Sequence, residues 1–421
     1  MATVAACRVC YATGIDNDEL NAHVKTRMQV EQPVRKSGFG LRPYQKISPV
    51  AYYAAQASTA NLMQSIAPCT THDPTPTEIE LTRVHNELVD LGVKHETVDK
   101  VQGQIFPVND TREEREAFYA KKQITCLQHA LQIQVDNKVD RDLKKVCDRG
   151  DLARLRALVQ KGARRTMSKQ SFIPKFALLN NEFSLMVRMR LGLRPCAPAE
   201  MPHVCACGQL MDELPNNHMM TCQQAAGAGW ITCHNGICHA LGTTARDAAC
   251  VVRAEVKYPG IDVRPDLVIT DPTGKTIIVD VSAVQSDAAS HASRPAGGAV
   301  AQRERDKASK YRTLIERTKA EFVPVVVDRF GGYGIQAQDL FTKLSVFADR
   351  FSMQCMAVDD AAPLYIIWAA MMKALYQGNV ALVRQAVIKC ETVRLSRLFF
   401  APHHHDAADF VGAAGEVMDA V

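Results

Sequence analysis

One acidic residue constrains the fold more than any other feature of the sequence. Asp280 interrupts the run Ile277-Ile278-Val279-Asp280-Val281, whose β-branched residues suit a central strand. An ionised carboxylate inside such a strand is costly unless it is paired or bound to a metal. The strand covers Thr276–Ala283, and the turn Asp271-Pro272-Thr273-Gly274 precedes it, with Pro and Gly where a tight reversal wants them. Before that turn, Ile261–Thr270 alternates as a partner strand, with Arg264-Pro265-Asp266 in its middle. Proline in a strand marks an edge or a bend, which can aim Asp266 out of the sheet. Two strands joined by so short a turn can bring Asp266 and Asp280 together, and like charges held that close need a cation between them. Hard oxygen ligands of this kind suit Mg²⁺.

The neighbouring segments extend the constellation. A helix at about 236–251 leads to a strand at about 253–257, on which Glu255 offers a third carboxylate. Residues 284–300, rich in Ala, Ser, Gly and Pro, read as a loop. A charged helix over about 301–320 then carries Lys307, Lys310 and Tyr311. A lysine near a metal can orient water or stabilise charge developing on a phosphate, so the set is suited to metal-assisted phosphodiester hydrolysis. The alternative is that Asp280 caps a strand end and the lysines form a solvated helix face. Phe322–Asp328 is a further buried strand, ended by Gly331-Gly332-Tyr333-Gly334.

The chain has 14 cysteines, and the dense part runs from Cys196 to Cys250. In a reducing compartment these are thiols or metal ligands rather than disulfides. Cys205, Cys207, His218 and Cys222 follow a C-x-C-x10-H-x3-C pattern. Three thiolates and one imidazole satisfy a tetrahedral zinc ion, and so small a segment would take its stability from the metal. His203 is a possible substitute ligand, and unrelated buried thiols are the alternative. Cys7 and Cys10, with His23 nearby, have ligand spacing without an obvious second pair, and His403, His404 and His405 sit on the tail. Cys69, Cys126, Cys147, Cys355 and Cys390 read as small core residues.

At 421 residues the chain suits two or three domains, and its net charge of +5 permits nucleic acid without arguing for it alone. No stretch reaches the roughly 18 apolar residues of a membrane span, and Leu364–Leu375 reads as a short buried helix. The first residues lack the pattern of a secretory signal, so an intracellular protein is expected. Residues 1–75 read as irregular and 76–165 as helical, with a capping box at Thr111–Glu114 and Gly162 as a stop. A further helix at 178–191 bears Arg188 and Arg190 near its end, either solvated or in contact with phosphate. Helices are expected again up to about residue 398.

Taken together, these pieces resemble the C-terminal end of LINE-type (non-LTR) retrotransposon polyproteins that carry a restriction-like endonuclease of the PD-(D/E)xK superfamily. The order is a CCHC knuckle, Arg264-Pro265-Asp266, a strand bearing Asp280, then Lys307 to Lys310-Tyr311. Pro33-Val34-Arg35-Lys36-Ser37-Gly38-Phe39-Gly40-Leu41-Arg42 is similar to the segment after the reverse transcriptase thumb. Phe183 through Arg190-Leu191-Gly192, His234-Asn235, and Phe322 through Gly331-Gly332 resemble further landmarks in the same order. The resemblance implies an α/β fold, α+β overall. A segment resembling the end of the thumb (1–75) is followed by a helical linker (76–195), a zinc knuckle (196–232), a mixed-sheet nuclease domain flanked by helices (233–350) and a helical extension (351–421). It implies nicking of target DNA in the nucleus, Mg²⁺ on Asp266 and Asp280, catalytic roles for Lys307 and Lys310, and structural Zn²⁺; Glu255 joins the catalytic candidates by its position on the preceding segment. It also implies DNA, and element RNA, as partners, with Arg188, Arg190, Arg264 and Tyr311 as contacts. Ser282 stands where the simple form of the superfamily motif has its lysine, and the chain has no Tyr-x-Asp-Asp polymerase signature. A nucleic-acid-binding remnant that no longer cuts is the alternative.

Overall fold

The computed structural model describes residues 24–66, 76–97, 127–168, 174–351 and 362–400. Expectations for Cys7, Cys10, His23, Cys69, Thr111–Glu114, Cys126, Cys355 and His403–His405 fall outside the described residues. The described residues open with α1 (Val24–Glu31), α2 (Tyr44–Ile66), α3 (Pro76–Asp90) and α4 (Leu127–Val146). Helices α2, α3 and α4 share a small apolar core around Val50, Tyr53, Leu88 and Leu131. Arg42 forks onto buried Asp136 with bonds of 3.0 and 2.8 Å, a bidentate pairing that ties the loop before α2 to α4. Expected as irregular, the described part of 1–75 is therefore partly helical. Pro49 sits inside α2 at the loss of one backbone hydrogen bond, while Val50 and Tyr53 bury fully beside it.

Helices α5 (Arg149–Leu158), α6 (Lys161–Ser168) and α7 (Asn180–Leu191) follow. Asp148 caps α5 by accepting the Asp151 N–H at 2.8 Å. Gly162 does not stop a helix: it lies in the first turn of α6, where a Cβ would stand 2.3 Å from the Gly331 carbonyl oxygen. Close backbone approach explains the glycine. Arg188 and Arg190 are neither solvated nor open to phosphate, since both side chains are buried in the interior. Arg188 Nε donates to the Arg194 carbonyl at 2.7 Å, and Arg190 Nη1 to that of Ala163 at 3.1 Å.

The short α8 (His218–Thr221) and the long α9 (Gln223–Asp247) precede the sheet. Its strands are β1 (Val251–Ala254), β2 (Leu267–Thr270), β3 (Thr276–Val284) and β4 (Glu321–Asp328), lying in sequence order. β1, β2 and β3 are antiparallel, and β4 runs parallel to β3. That last pairing needs a crossover, supplied by α10 (Gly298–Lys310) and α11 (Arg312–Thr318). Helices α12 (Ile335–Phe351) and α13 (Pro363–Phe400) complete the described chain. The protein is α+β overall, with one mixed sheet among the described residues, flanked by helices.

β3 is covered on both faces, which explains its near-continuous apolar run. Ile277, Val279 and Val281 join the main core with Ile237 and Leu241 of α9 and Met371 and Leu375 of α13. On the other face, Ile278 meets Tyr311 and Leu314, and Val284 meets Ala299 and Val300. Asp280 shares this second face, beneath α10.

Several boundaries move. The helix expected at 236–251 begins at Gln223. The strand expected over 261–270 is only Leu267–Thr270. Continuing its register would set residue 265 opposite Val281, but Pro265 has no N–H to complete that pair. β1 stops at Ala254 because Glu255 takes a left-handed φ of 49°. The helix expected at 301–320 is two pieces, broken at Tyr311. The apolar segment at 364–375 belongs to a far longer helix. By length and composition alone, Pro363–Ser396 is long and apolar enough to cross a membrane, but 67% of its most apolar window is buried inside the fold. It packs along α9 and lines the main core.

Asp328, at the end of β4, is fully buried, and burial pushes its carboxyl up to about 7 although Ser286 Oγ and the Phe330 N–H donate to it. A carboxyl whose pKa is raised by folding adds stability that is complete below its unfolded value and lost as pH rises through the folded one. The urea midpoint should therefore fall between pH 5 and pH 8, and Asp328→Asn should flatten that fall. Parallel pH profiles for the two proteins would contradict this assignment.

Candidate functional site

Two groups of side chains converge, one before the sheet and one at its rim. In the first, Val204 and Leu210 form an isolated bridge around a tight turn. Gly208 in it has φ 92° and donates to the Cys205 carbonyl at 2.8 Å. The turn presents Cys205 and Cys207 together. His218 opens α8, and Cys222 stands at the N-cap of α9. The Cys205 and Cys222 sulfurs are 3.7 Å apart, far beyond a disulfide, and His218 Nε2 lies 3.3 and 3.4 Å from the Cys205 and Cys207 sulfurs. Zinc with thiolates at about 2.3 Å and imidazole at about 2.0 Å sets tetrahedral edges of about 3.8 and 3.5 Å. The four residues could hold a metal ion, and their ligand types and spacing are compatible with zinc. Burial keeps the His218 pKa below its usual value, favouring the neutral imidazole that a metal needs. His203, the possible substitute, is exposed and outside the group.

Metal is not the sole support expected for this segment. Met211, Met219 and Met220 are buried in one core with Leu382, Ala386 and Cys390 of α13. The Ala206 N–H donates to the Cys390 sulfur at 3.2 Å. The knuckle is docked onto the long helix by apolar burial as well.

At the sheet rim, the register sets Asp266 opposite Asp280, one residue beyond the end of β2, and Glu255 opposite Asp266. The three acids thus form a row across three neighbouring chain segments. Their side chains differ in what they meet. Asp280 is buried under α10. Tyr311 donates its hydroxyl to Asp280 Oδ1 at 2.5 Å, with the Arg264 carbonyl a second acceptor at 2.9 Å. Lys307 Nζ lies 2.5 Å from Asp280 Oδ2, an ion pair without the angle of a hydrogen bond. Lys307 and Tyr311 are four residues apart and so descend from one face of the helix. Burial first, and the bond to Asp280 next, push the Tyr311 phenol well above its usual pKa, so it stays a proton donor.

Asp266 stands beside this pair. Its Oδ2 accepts the Val281 N–H at 2.6 Å. The same oxygen is 3.2 Å from His234 Nε2 on α9. The hydrogen bond to Asp266, and then that to Cys238, push the His234 imidazolium up to about 11.

The structure therefore brings together Asp280, Lys307 and Tyr311, and the register sets Asp266 opposite Asp280, with its carboxylate on His234 and the Val281 N–H. It sets Glu255 apart: the side chain is exposed and faces Arg264 at 3.3 Å, because the left-handed backbone turns it away. Lys310, one position from the Lys307–Tyr311 face, is exposed, with its ammonium 5.4 Å from the Tyr311 ring centre. Expected as a nucleic-acid contact, Tyr311 is instead buried and stacked on Phe322 at 4.8 Å. Arg264 stays exposed. Sequence reasoning missed the partnership of His234 and Cys238 with Asp266. The i, i+4 spacing on α9 carried that signal, as it did for Lys307 with Tyr311. No family model matches the chain, and no curated protein matches it.

Cys207 is only half-buried, so its substitution tests the knuckle with little disturbance of the core. Cys207→Ser should lower zinc content by one equivalent. It should weaken zinc affinity by more than the roughly 10–100-fold typical of a lost outer hydrogen bond. Unchanged zinc content would exclude Cys207 as a ligand.

Proposed function

We propose that the chain is a retrotransposon-type, metal-dependent DNA endonuclease whose zinc knuckle and nuclease domain act on target DNA, with element RNA as a further partner and the nucleus as its place of action. The observation that carries this reading is the pairing of buried Asp280 with half-buried Lys307, with Asp266 opposite Asp280 at the end of a strand. Such a pair is poor value as a stabiliser, because removing two charges from water costs several kcal/mol per ion. A reaction that needs both groups gives it a purpose. A mixed sheet flanked by helices is also what the resemblance to restriction-like nucleases implies.

The acid row fits a hard divalent ion in its chemistry. Asp280 Oδ2 is buried and accepts no well-aligned hydrogen bond, so it has a lone pair to give. Asp266 and Asp280 would hold Mg²⁺, which supplies Lewis-acid stabilisation of phosphate charge. Tyr311 fixes the Asp280 carboxylate by its hydroxyl, and the Val281 N–H fixes Asp266. Lys307 brings a positive charge that can move from Asp280 to a phosphate oxygen as negative charge develops there. Lys307, rather than Lys310, is assigned this role because it alone of the two pairs with Asp280.

A second reading is a nucleic-acid binder that no longer cuts. It is favoured by the engagement of Asp266 with His234 and of Asp280 with Lys307. Among the described residues, no group built of acids alone meets the spacing of a metal cluster.

Plasmid nicking in Mg²⁺ separates the two. Asp280→Asn preserves shape, and its folding is checked by thermal melting. It should lose roughly 10²–10³-fold in rate, the order seen when one charge-stabilising group is removed. Equal nicking by both proteins would eliminate the enzyme reading. DNA affinity that falls steeply with salt, without nicking by either protein, would leave the binder.

A further inference from the structure

We infer that His234, Cys238 and Asp266 form a second metal site, binding one zinc-type divalent ion and leaving a coordination position open. This goes beyond the nuclease reading, with which it shares only Asp266.

The geometry comes from two elements. His234 and Cys238 are four residues apart on α9, so their side chains lie on one face of it. Asp266 meets them from the sheet rim. The distances are 3.2 Å from His234 Nε2 to Asp266 Oδ2 and 3.7 Å from the same nitrogen to the Cys238 sulfur. One ligand atom from each of the three lies within 4.8 Å of the others. Tetrahedral zinc with bonds of about 2.0 Å to N and O and about 2.3 Å to S implies edges of about 3.3 and 3.5 Å. The two distances lie close to these edges.

Outer partners hold two of the three ligands in place. Asn235 Oδ1 lies 3.2 Å from His234 Nδ1; an Nδ1–H donated there leaves Nε2 to bind a metal once the metal displaces the proton that Nε2 shares with Asp266. The Val281 N–H holds Asp266. An ion pair of His234 with Asp266 accounts for those two side chains alone. It gives no reason for a half-buried thiol directed at the same imidazole.

The ligand set selects the ion. A thiolate and an imidazole suit zinc-like cations and not Mg²⁺, which demands oxygen. The His234 and Asp266 side chains keep 33% and 20% of their exposure, so solvent reaches the cluster. Three protein ligands with access for a fourth are the pattern of an open zinc site, unlike the four-ligand knuckle.

The test is a metal count on the whole chain, with no DNA present. Metal-free protein titrated with Zn²⁺, and separately with Co²⁺, should take up two equivalents. Cys238→Ala and His234→Gln should each take up one. Cys238→Ala should also lose part of the thiolate-to-cobalt charge-transfer absorption, and metal-free melting curves check its folding. Uptake of one equivalent by the unaltered chain would overturn the proposal, as would a second equivalent that persists in both variants. Mg²⁺-dependent nicking with only one equivalent bound would sink this site and spare the nuclease. Two equivalents without nicking would do the reverse.

Discussion

The pairing of buried Asp280 with Lys307 and Tyr311 is the constraint on which the sheet region depends. β3 is central and covered on both faces, so a carboxylate within it has no water to turn to. α10 must therefore lie where Lys307 and the C-cap residue Tyr311 reach that carboxylate. The helix breaks at Tyr311, whose hydroxyl also faces the Arg264 carbonyl, so the same residue positions the segment leading to Asp266. Losing one partner of a buried pair typically costs about 3–5 kcal/mol. The crossover, the rim loop and the central strand are in this way fastened at one point.

α9 links that point to the knuckle. It starts immediately after Cys222 and carries His234 12 positions further on (234 − 222), about 18 Å along the axis at 1.5 Å per residue. One helix thus begins at a residue of the Cys/His group and carries His234 and Cys238 to the rim. α13 lies along α9 and buries its apolar stripe there, while its later part covers the knuckle. The spacing between the knuckle and the acid row is set by helix packing rather than by a flexible joint. A surface that read nucleic acid at one end and cut it at the other would need that fixed spacing.

Much of this arrangement was legible in the sequence. The Cys/His spacing named the four residues that converge in the knuckle, and an acid within a β-branched run marked Asp280. The turn at Asp271–Gly274 fixed β2 against β3, hence Asp266 against Asp280. Other features depend on tertiary context. Arg188 and Arg190 sit near a helix end and look solvated until α7 is seen to be interior. Choosing Lys307 over Lys310 needs the helix phase relative to Tyr311, and the i, i+4 spacing becomes decisive only once the Tyr311 hydroxyl is seen to reach Asp280. Glu255 lies in the acid row by register, but one left-handed residue turns it outward. Gly162 mimics a helix stop, while its purpose is contact with Gly331, distant in sequence.

The central claim is that Asp266 and Asp280 share one hard cation beside Lys307. Anomalous X-ray scattering from crystals grown with Mn²⁺ in place of Mg²⁺ tests it most directly. The account predicts a peak bonded to an oxygen of each carboxylate, at distances near the about 2.1 Å of Mg²⁺ ligands, with the Lys307 ammonium withdrawn from Asp280 Oδ2. A map without density between the two acids, and with Lys307 still seated on Asp280, would contradict it.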